Sequence, residues 1–208
     1  MELNNIFQNV IEGNTEEVEA GVKAALVEGI GANIILSQAL IAAMDEVGRR
    51  FEEGDFYVPE MLVSARAMQA GLKLLKPHLL QSEIKSTGKI AIGTVKGDLH
   101  DIGKNLVGMM LEGAGFEVID LGVDVAPEKF VEAVMNGVHL IGMSALLTTT
   151  MGSMATTIQA LKEAGVREKV KVLIGGAPVT EEYAKQIGAD AFGTDASSAT
   201  RVARQLVE

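Results

Sequence analysis

The 208-residue sequence has no cysteine and no tryptophan, and only 4% of its residues are aromatic. Without cysteine there can be no disulfide, zinc ribbon, iron–sulfur cluster or thiol nucleophile. Only three histidines are present, and His78, His100 and His139 are too few and too scattered to predict a multi-histidine metal cage. Basic residues are the minority, 18 against 28 acidic ones, giving a formal net charge of −10. That balance offers no electrostatic grip on nucleic acid or on an anionic membrane. No apolar run approaches the roughly 18 residues of a membrane helix. The opening MELNNIFQNVIEGN lacks the basic and apolar regions of a secretory signal. What is present is an ordinary globular composition, 48% hydrophobic and 22% charged. A cytoplasmic protein is expected.

The apolar pattern has two textures. Up to about residue 80 it is helical. Asn14 and Glu17 are placed as N-cap and N3 of a capping box, and Val18, Val22, Ala25 and Leu26 share one face of the helix that follows. Ile34, Ile35, Gln38, Ile41, Ala42 and Val47 predict a long helix over 32–53. A further helix is expected to start at Pro59, whose fixed φ suits a first turn, and to end before Pro77. With a short helix over 3–11 this makes a four-helix bundle. The polar stretch Gln81–Gly88 reads as a linker, dividing the chain into 1–86 and 87–208.

From Lys89 onward, short β-rich runs alternate with helical ones: KIAIGTV, FEVIDLG, HLIGMSA, KVLIGGA and ADAFGT are each followed by a helical segment. Strands so interleaved predict a five-stranded parallel sheet covered on both faces, of Rossmann or flavodoxin-like type. In such folds ligands bind at the carboxyl ends of the strands. Chemistry is therefore expected in the loops that follow them.

The first of these loops contains Asp98 and His100, just ahead of a helix. It has neither the spaced glycines of a dinucleotide site nor the Gly-Lys-Ser/Thr end of a phosphate-binding loop. A helix N-terminus favours a neutral imidazole in front of it. An aspartate on one ring nitrogen would fix the tautomer of a histidine that ligates metal through the other. A solvated loop histidine beside a turn aspartate accounts for these two residues equally well. The loop after the third strand carries Ser144, Leu146, Thr148 and Thr150. Its hydroxyls could instead cap the next helix, a reading that suits Thr150 and Ser153. Gly175 and Gly176, directly after the fourth strand, permit close approach of backbone and ligand. Lys104, Asp120 and Asp124 read as loop or helix-end charges.

Taken together, Asp98-x-His100-x-x-Gly103, Ser144-x-Leu146 and Gly175-Gly176 resemble the signature of cobalamin-binding Rossmann-like domains. The stretches Asp55–Pro59 and Ser64–Arg66 are similar to the helical cap before that domain in methionine synthase and in corrinoid methyl-carrier proteins. The resemblance implies an α/β protein with a bundle cap, binding cobalamin or a related cobamide. His100 would be the lower ligand to cobalt, and Asp98 its hydrogen-bond partner. Thr150 would stand where methionine synthase has a serine. Ser144 and Leu146 would line the channel of the nucleotide tail, with Gly175 and Gly176 at its deep end, and Thr148 would be a further cofactor-binding residue. Gly103 would permit close packing as the ligand loop enters its helix, beside Asp101. Tyr57 and Met61 would be contacts from the cap. The implied function is a shuttle that accepts a methyl group from a substrate-specific methyltransferase. A second methyltransferase would pass it to a thiol or folate, and a reductive activase is a further implied partner. The chain is too short to hold a substrate barrel as well. A cobalamin-dependent sensor is the alternative, although no basic output segment is present. A flavodoxin-like receiver or flavin domain would leave the paired glycines unexplained.

Overall fold

The structure is a computed structural model that describes residues 2–79 and 87–207. Up to residue 86, the expected linker lies outside the described residues. The chain forms two compact units.

The first unit is a helical cap. It runs through α1 (Glu2–Ile11), α2 (Thr15–Val27), α3 (Ala32–Ile35), α4 (Ala42–Glu52) and α5 (Val58–Leu79). A π-type stretch, Leu36–Ile41, joins α3 to α4, so that the two make one rod, as the sequence predicts. The wider turns of that stretch rotate the buried face. Ala39, Leu40, Ala43 and Met44 point inward in place of the expected Ile34, Gln38 and Ile41. Ile6, Val22, Leu40, Met61 and Met68 are fully buried and mark the cap core.

Three local expectations are corrected. Asn14 occupies the N-cap position of α2 but makes no capping bond. Its amide instead donates to the side chains of Asn9 and Glu12. Helix α5 begins one residue before Pro59, where the missing N–H has no helical acceptor to lose. It also continues through Pro77 to Leu79, because a proline in the final turn breaks only the end of the hydrogen-bond ladder.

The second unit alternates strictly. Its elements are β1 (Lys89–Thr94), α6 (Ile102–Gly113), β2 (Glu117–Asp120), α7 (Pro127–Met135) and β3 (Leu140–Ser144). They continue with α8 (Gly152–Glu163), β4 (Lys171–Gly175), α9 (Glu181–Ile187), β5 (Ala191–Gly193) and α10 (Ala196–Val207). All strand pairs are parallel, in the order β2-β1-β3-β4-β5. The inner strands read as apolar runs because helices cover both faces: Ile90, Ala91, Leu140, Ile141 and Val172 are fully buried. The order reverses direction between β1 and β3, which opens a crevice at their carboxyl ends. Register places Thr94 beside Ser144 and Ser144 beside Gly175, so the β1, β3 and β4 loops leave the sheet at one level.

Candidate functional site

The crevice is organised around Asp98, whose side chain is completely buried. A buried carboxylate is costly unless its oxygens find donors, and here the donors come from both crevice loops. One oxygen, Oδ1, accepts the His100 amide at 3.1 Å and stands 2.7 Å from His100 Nδ1. The other, Oδ2, accepts the amides of Leu146 (2.8 Å) and Leu147 (3.2 Å) and the Thr150 hydroxyl (2.7 Å). The Thr150 oxygen is also 2.9 Å from the Leu147 carbonyl. A hydroxyl carries a single proton, and the ionised carboxylate is the stronger acceptor. Burial by itself pushes the Asp98 carboxyl up. The hydrogen bonds from Thr150, from the His100 ring and amide and from Leu146 outweigh it, holding the group well below the usual carboxylate range.

An ionised Asp98 can only accept, so the proton on the imidazole sits at Nδ1. That leaves the Nε2 lone pair free of any hydrogen bond among the described residues. The imidazole is half exposed. Around it the surface is apolar: Leu99 is 70% and Ile102 82% exposed, and Leu146 and Leu147 are also open. An exposed apolar rim beside an oriented nitrogen donor is the character of a ligand surface.

The remaining expected residues divide. Ser144, at the end of β3, is half-buried and forms no side-chain hydrogen bond among the described residues. Thr148 is exposed in the same loop. Asp101 is engaged: its carboxylate accepts the Asn105 amide at 3.1 Å. Gly103 does not serve close packing within the chain, since a Cβ added there meets nothing within 4 Å. It leaves open space in the first turn of α6. Gly175 and Gly176 have steric reasons of their own. A Cβ on Gly175 would lie 3.0 Å from the Gly193 carbonyl oxygen, and one on Gly176, at φ +128°, would overlap the Ala145 carbonyl. In the cap, Tyr57 is 68% exposed, whereas Met61 is fully buried and belongs to the core.

Thr150 and Ser153 do not cap α8. Thr150 turns to Asp98, and Ser153 Oγ donates to the Lys96 carbonyl at 2.9 Å. Nor is Lys104 a solvated charge. It is buried, and its ammonium lies 2.5 and 2.6 Å from the two Asp120 oxygens, tying α6 to the end of β2. The sequence reading missed Thr94, whose hydroxyl donates to the His100 carbonyl at 2.9 Å. It also undervalued Asp124, which sits at φ 51° and accepts the Gly97 amide at 2.7 Å. The glycine in Lys96-Gly97-Asp98 was the only sequence signal of that clamp. Among the described residues, no group of three or more His, Cys, Asp or Glu side chains could hold a bare metal ion.

A parallel sheet with an aspartate-held histidine at its switch point belongs to the class of open α/β folds that bind ligands at the carboxyl ends of their strands. Comparison with known proteins identifies the class. Two family models, each described as a B12 binding domain, match residues 88–203 and 2–76. The chain is 42% identical to trimethylamine corrinoid protein 1 of Methanosarcina acetivorans, over 92% of this chain and 91% of that one. It is 39% identical to a corrinoid protein of Desulfitobacterium hafniense, covering 99% and 97%. Among solved structures it resembles a cobalamin-binding protein from D. hafniense, with TM-score 0.83, 34% identity and coverage of 99% and 98%. It also resembles a chain of the methanol:cobalamin methyltransferase complex from Methanosarcina barkeri, with TM-score 0.88, 30% identity and coverage of 99% and 79%. The chain belongs to the B12-binding corrinoid proteins of methyltransferase systems, with a helical cap followed by a Rossmann-like cobalamin-binding domain.

Proposed function

We propose that this corrinoid protein carries a methyl group on a cobamide whose lower ligand is His100, receiving it from a substrate-specific methyltransferase and delivering it through a second one to a thiol or folate. The carrying observation is the chain Thr150 Oγ1–Asp98–His100 Nδ1, which leaves Nε2 as the one uncommitted donor atom of the imidazole. The residues present fit a corrinoid. A corrinoid would bring its own ring nitrogens to cobalt, so described residues that hold no metal-binding cluster would need to add only the His100 nitrogen. The open space at Gly103 and the apolar rim of Leu99, Ile102 and Leu146 leave room for the bulk of such a ring.

When bound, the corrinoid supplies a cobalt that takes up and gives away a methyl group. The chain itself would control the nitrogen that holds the group, Nε2 of His100. Asp98 retains the Nδ1 proton and makes the imidazole a better donor, while Thr150 and the Leu146 and Leu147 amides hold the carboxylate in place. Ser144 and Leu146, with Gly175 and Gly176 behind them, would hold the nucleotide tail, Thr148 would be a further cofactor contact, and Asp101 and Gly103 would flank the ligand loop. The domain division we infer is 1–86 for the cap and linker and 87–208 for the corrinoid domain.

The relatives named for trimethylamine and the complex named for methanol indicate a methylated amine or methanol as donor. The test loads the full chain with hydroxocobalamin, reduces it with titanium(III) citrate and a reductive activase, and supplies each candidate donor with its substrate-specific methyltransferase. One demethylated product molecule per carrier, with turnover only when the second methyltransferase and a thiol or folate acceptor are added, is the expected result. A full turnover rate without this chain would overturn methyl carriage.

A further inference from the structure

His100 is held at more than its ring. Its amide donates to Asp98 Oδ1 at 3.1 Å, Nδ1 meets the same oxygen at 2.7 Å, and its carbonyl accepts the Thr94 hydroxyl at 2.9 Å. Thr94 is fully buried and is itself anchored twice through its backbone: its N–H donates to the Gly122 carbonyl at 3.0 Å, and its carbonyl accepts the Val125 amide at 2.9 Å. As the last residue of β1 it belongs to the rigid sheet, and its hydroxyl reaches six residues along the chain to close the loop on itself. Asp98 orients the ring but shares the loop with it. Thr94 ties that loop to the sheet.

We propose that Thr94 is a positioning residue for His100, which presents Nε2 preorganised by fixing the histidine backbone to the end of β1. This rests on the reading of His100 as the axial ligand. A donor atom fixed before the ligand arrives has less freedom to lose on coordination, which strengthens that coordination. Valine in place of Thr94 keeps the shape and the buried apolar contacts but removes the hydroxyl. The His100 carbonyl, beside a half-exposed residue, can then turn to water, and the loop gains alternative conformations. Serine keeps the donor.

The test uses the full-length apoprotein and the same protein loaded with cob(II)inamide, a corrinoid without a base of its own. In that complex, any axial nitrogen seen as superhyperfine splitting in electron paramagnetic resonance comes from the protein. Wild type is expected to show the splitting and His100→Ala to lack it. Thr94→Val should retain cobinamide while its ratio of nitrogen-ligated to unligated signal falls about fivefold, the effect of one net hydrogen bond. Thr94→Ser should restore the wild-type ratio. In the apoprotein, exchange of the His100 amide should accelerate in Thr94→Val and not in Thr94→Ser. If wild type and His100→Ala give the same spectrum, the axial-ligand reading fails. If that pair differs while Thr94→Val matches wild type in splitting and exchange, Thr94 has no positioning role. Thr94→Ala replaces valine in the same comparison should the valine variant not fold.

Discussion

Asp98 accepts every hydrogen bond it receives, so its ionisation is part of the fold. In Asp98→Asn an amide group replaces one acceptor oxygen and faces donors on either side. We expect the apoprotein to lose about 3 kcal/mol, measured by urea denaturation at pH 7. Because the folded carboxyl is held below its ordinary value, its contribution is fully present above the unfolded carboxyl pKa of about 3.9 and is lost as pH falls through the folded value. The wild-type stability curve should therefore drop below pH 4 more steeply than that of Asp98→Asn, and equal slopes would contradict this account. Two glycines make a second residue-scale contrast. Gly176→Ala puts a Cβ into the Ala145 carbonyl at a positive φ and should destabilise the apoprotein by more than about 2 kcal/mol. Gly103→Ala meets open space in a helix and should raise stability by about 0.5–1 kcal/mol. On our reading it should also weaken hydroxocobalamin binding, because the added methyl projects into the ligand's space. Unchanged affinity would remove Gly103 from the site.

At the scale of elements, the strands and their helices were legible because a parallel sheet writes itself as apolar runs separated by amphipathic helices. The boundaries of β1, β3 and β4 fall within the sequence segments that predicted them. The cap was legible in its number of helices but not in which residues face inward, since nothing in Leu36-Ser-Gln-Ala-Leu-Ile41 announces the π-type stretch that rotates the face. Hydroxyl-rich loops misled for a related reason. A threonine near a helix start serves equally as a cap or as a donor to another loop, and only the tertiary fold decides. Thr180 is the case where the local rule holds, because its Oγ1 accepts the Tyr183 amide at 3.1 Å at the start of α9. Thr180→Ala should cost about 1 kcal/mol in thermal or urea unfolding, without a change in the spectrum of bound cobalamin. A spectral change would mean that α9 is coupled to the crevice.

For the whole molecule, the pairing of Asp98 with His100 was visible as a spacing of two residues, and the structure adds the distance, the burial and the donors behind it. The role of Thr94 was invisible and that of Asp124 nearly so, because each acts through contacts six or more residues away in sequence. No helix among the described residues is long and apolar enough to cross a membrane. A ligand that binds only the folded chain adds stability by mass action, about 2.7 kcal/mol at a hundredfold excess over Kd. Hydroxocobalamin should therefore raise the unfolding temperature of wild type, and by less for His100→Ala. The most direct measurement is the visible spectrum of hydroxocobalamin retained after gel filtration by wild type and by His100→Ala. The account predicts red protein in both, with the lower-ligand signature of wild type altered in His100→Ala. Identical spectra would contradict His100 as the axial ligand and with it the central claim.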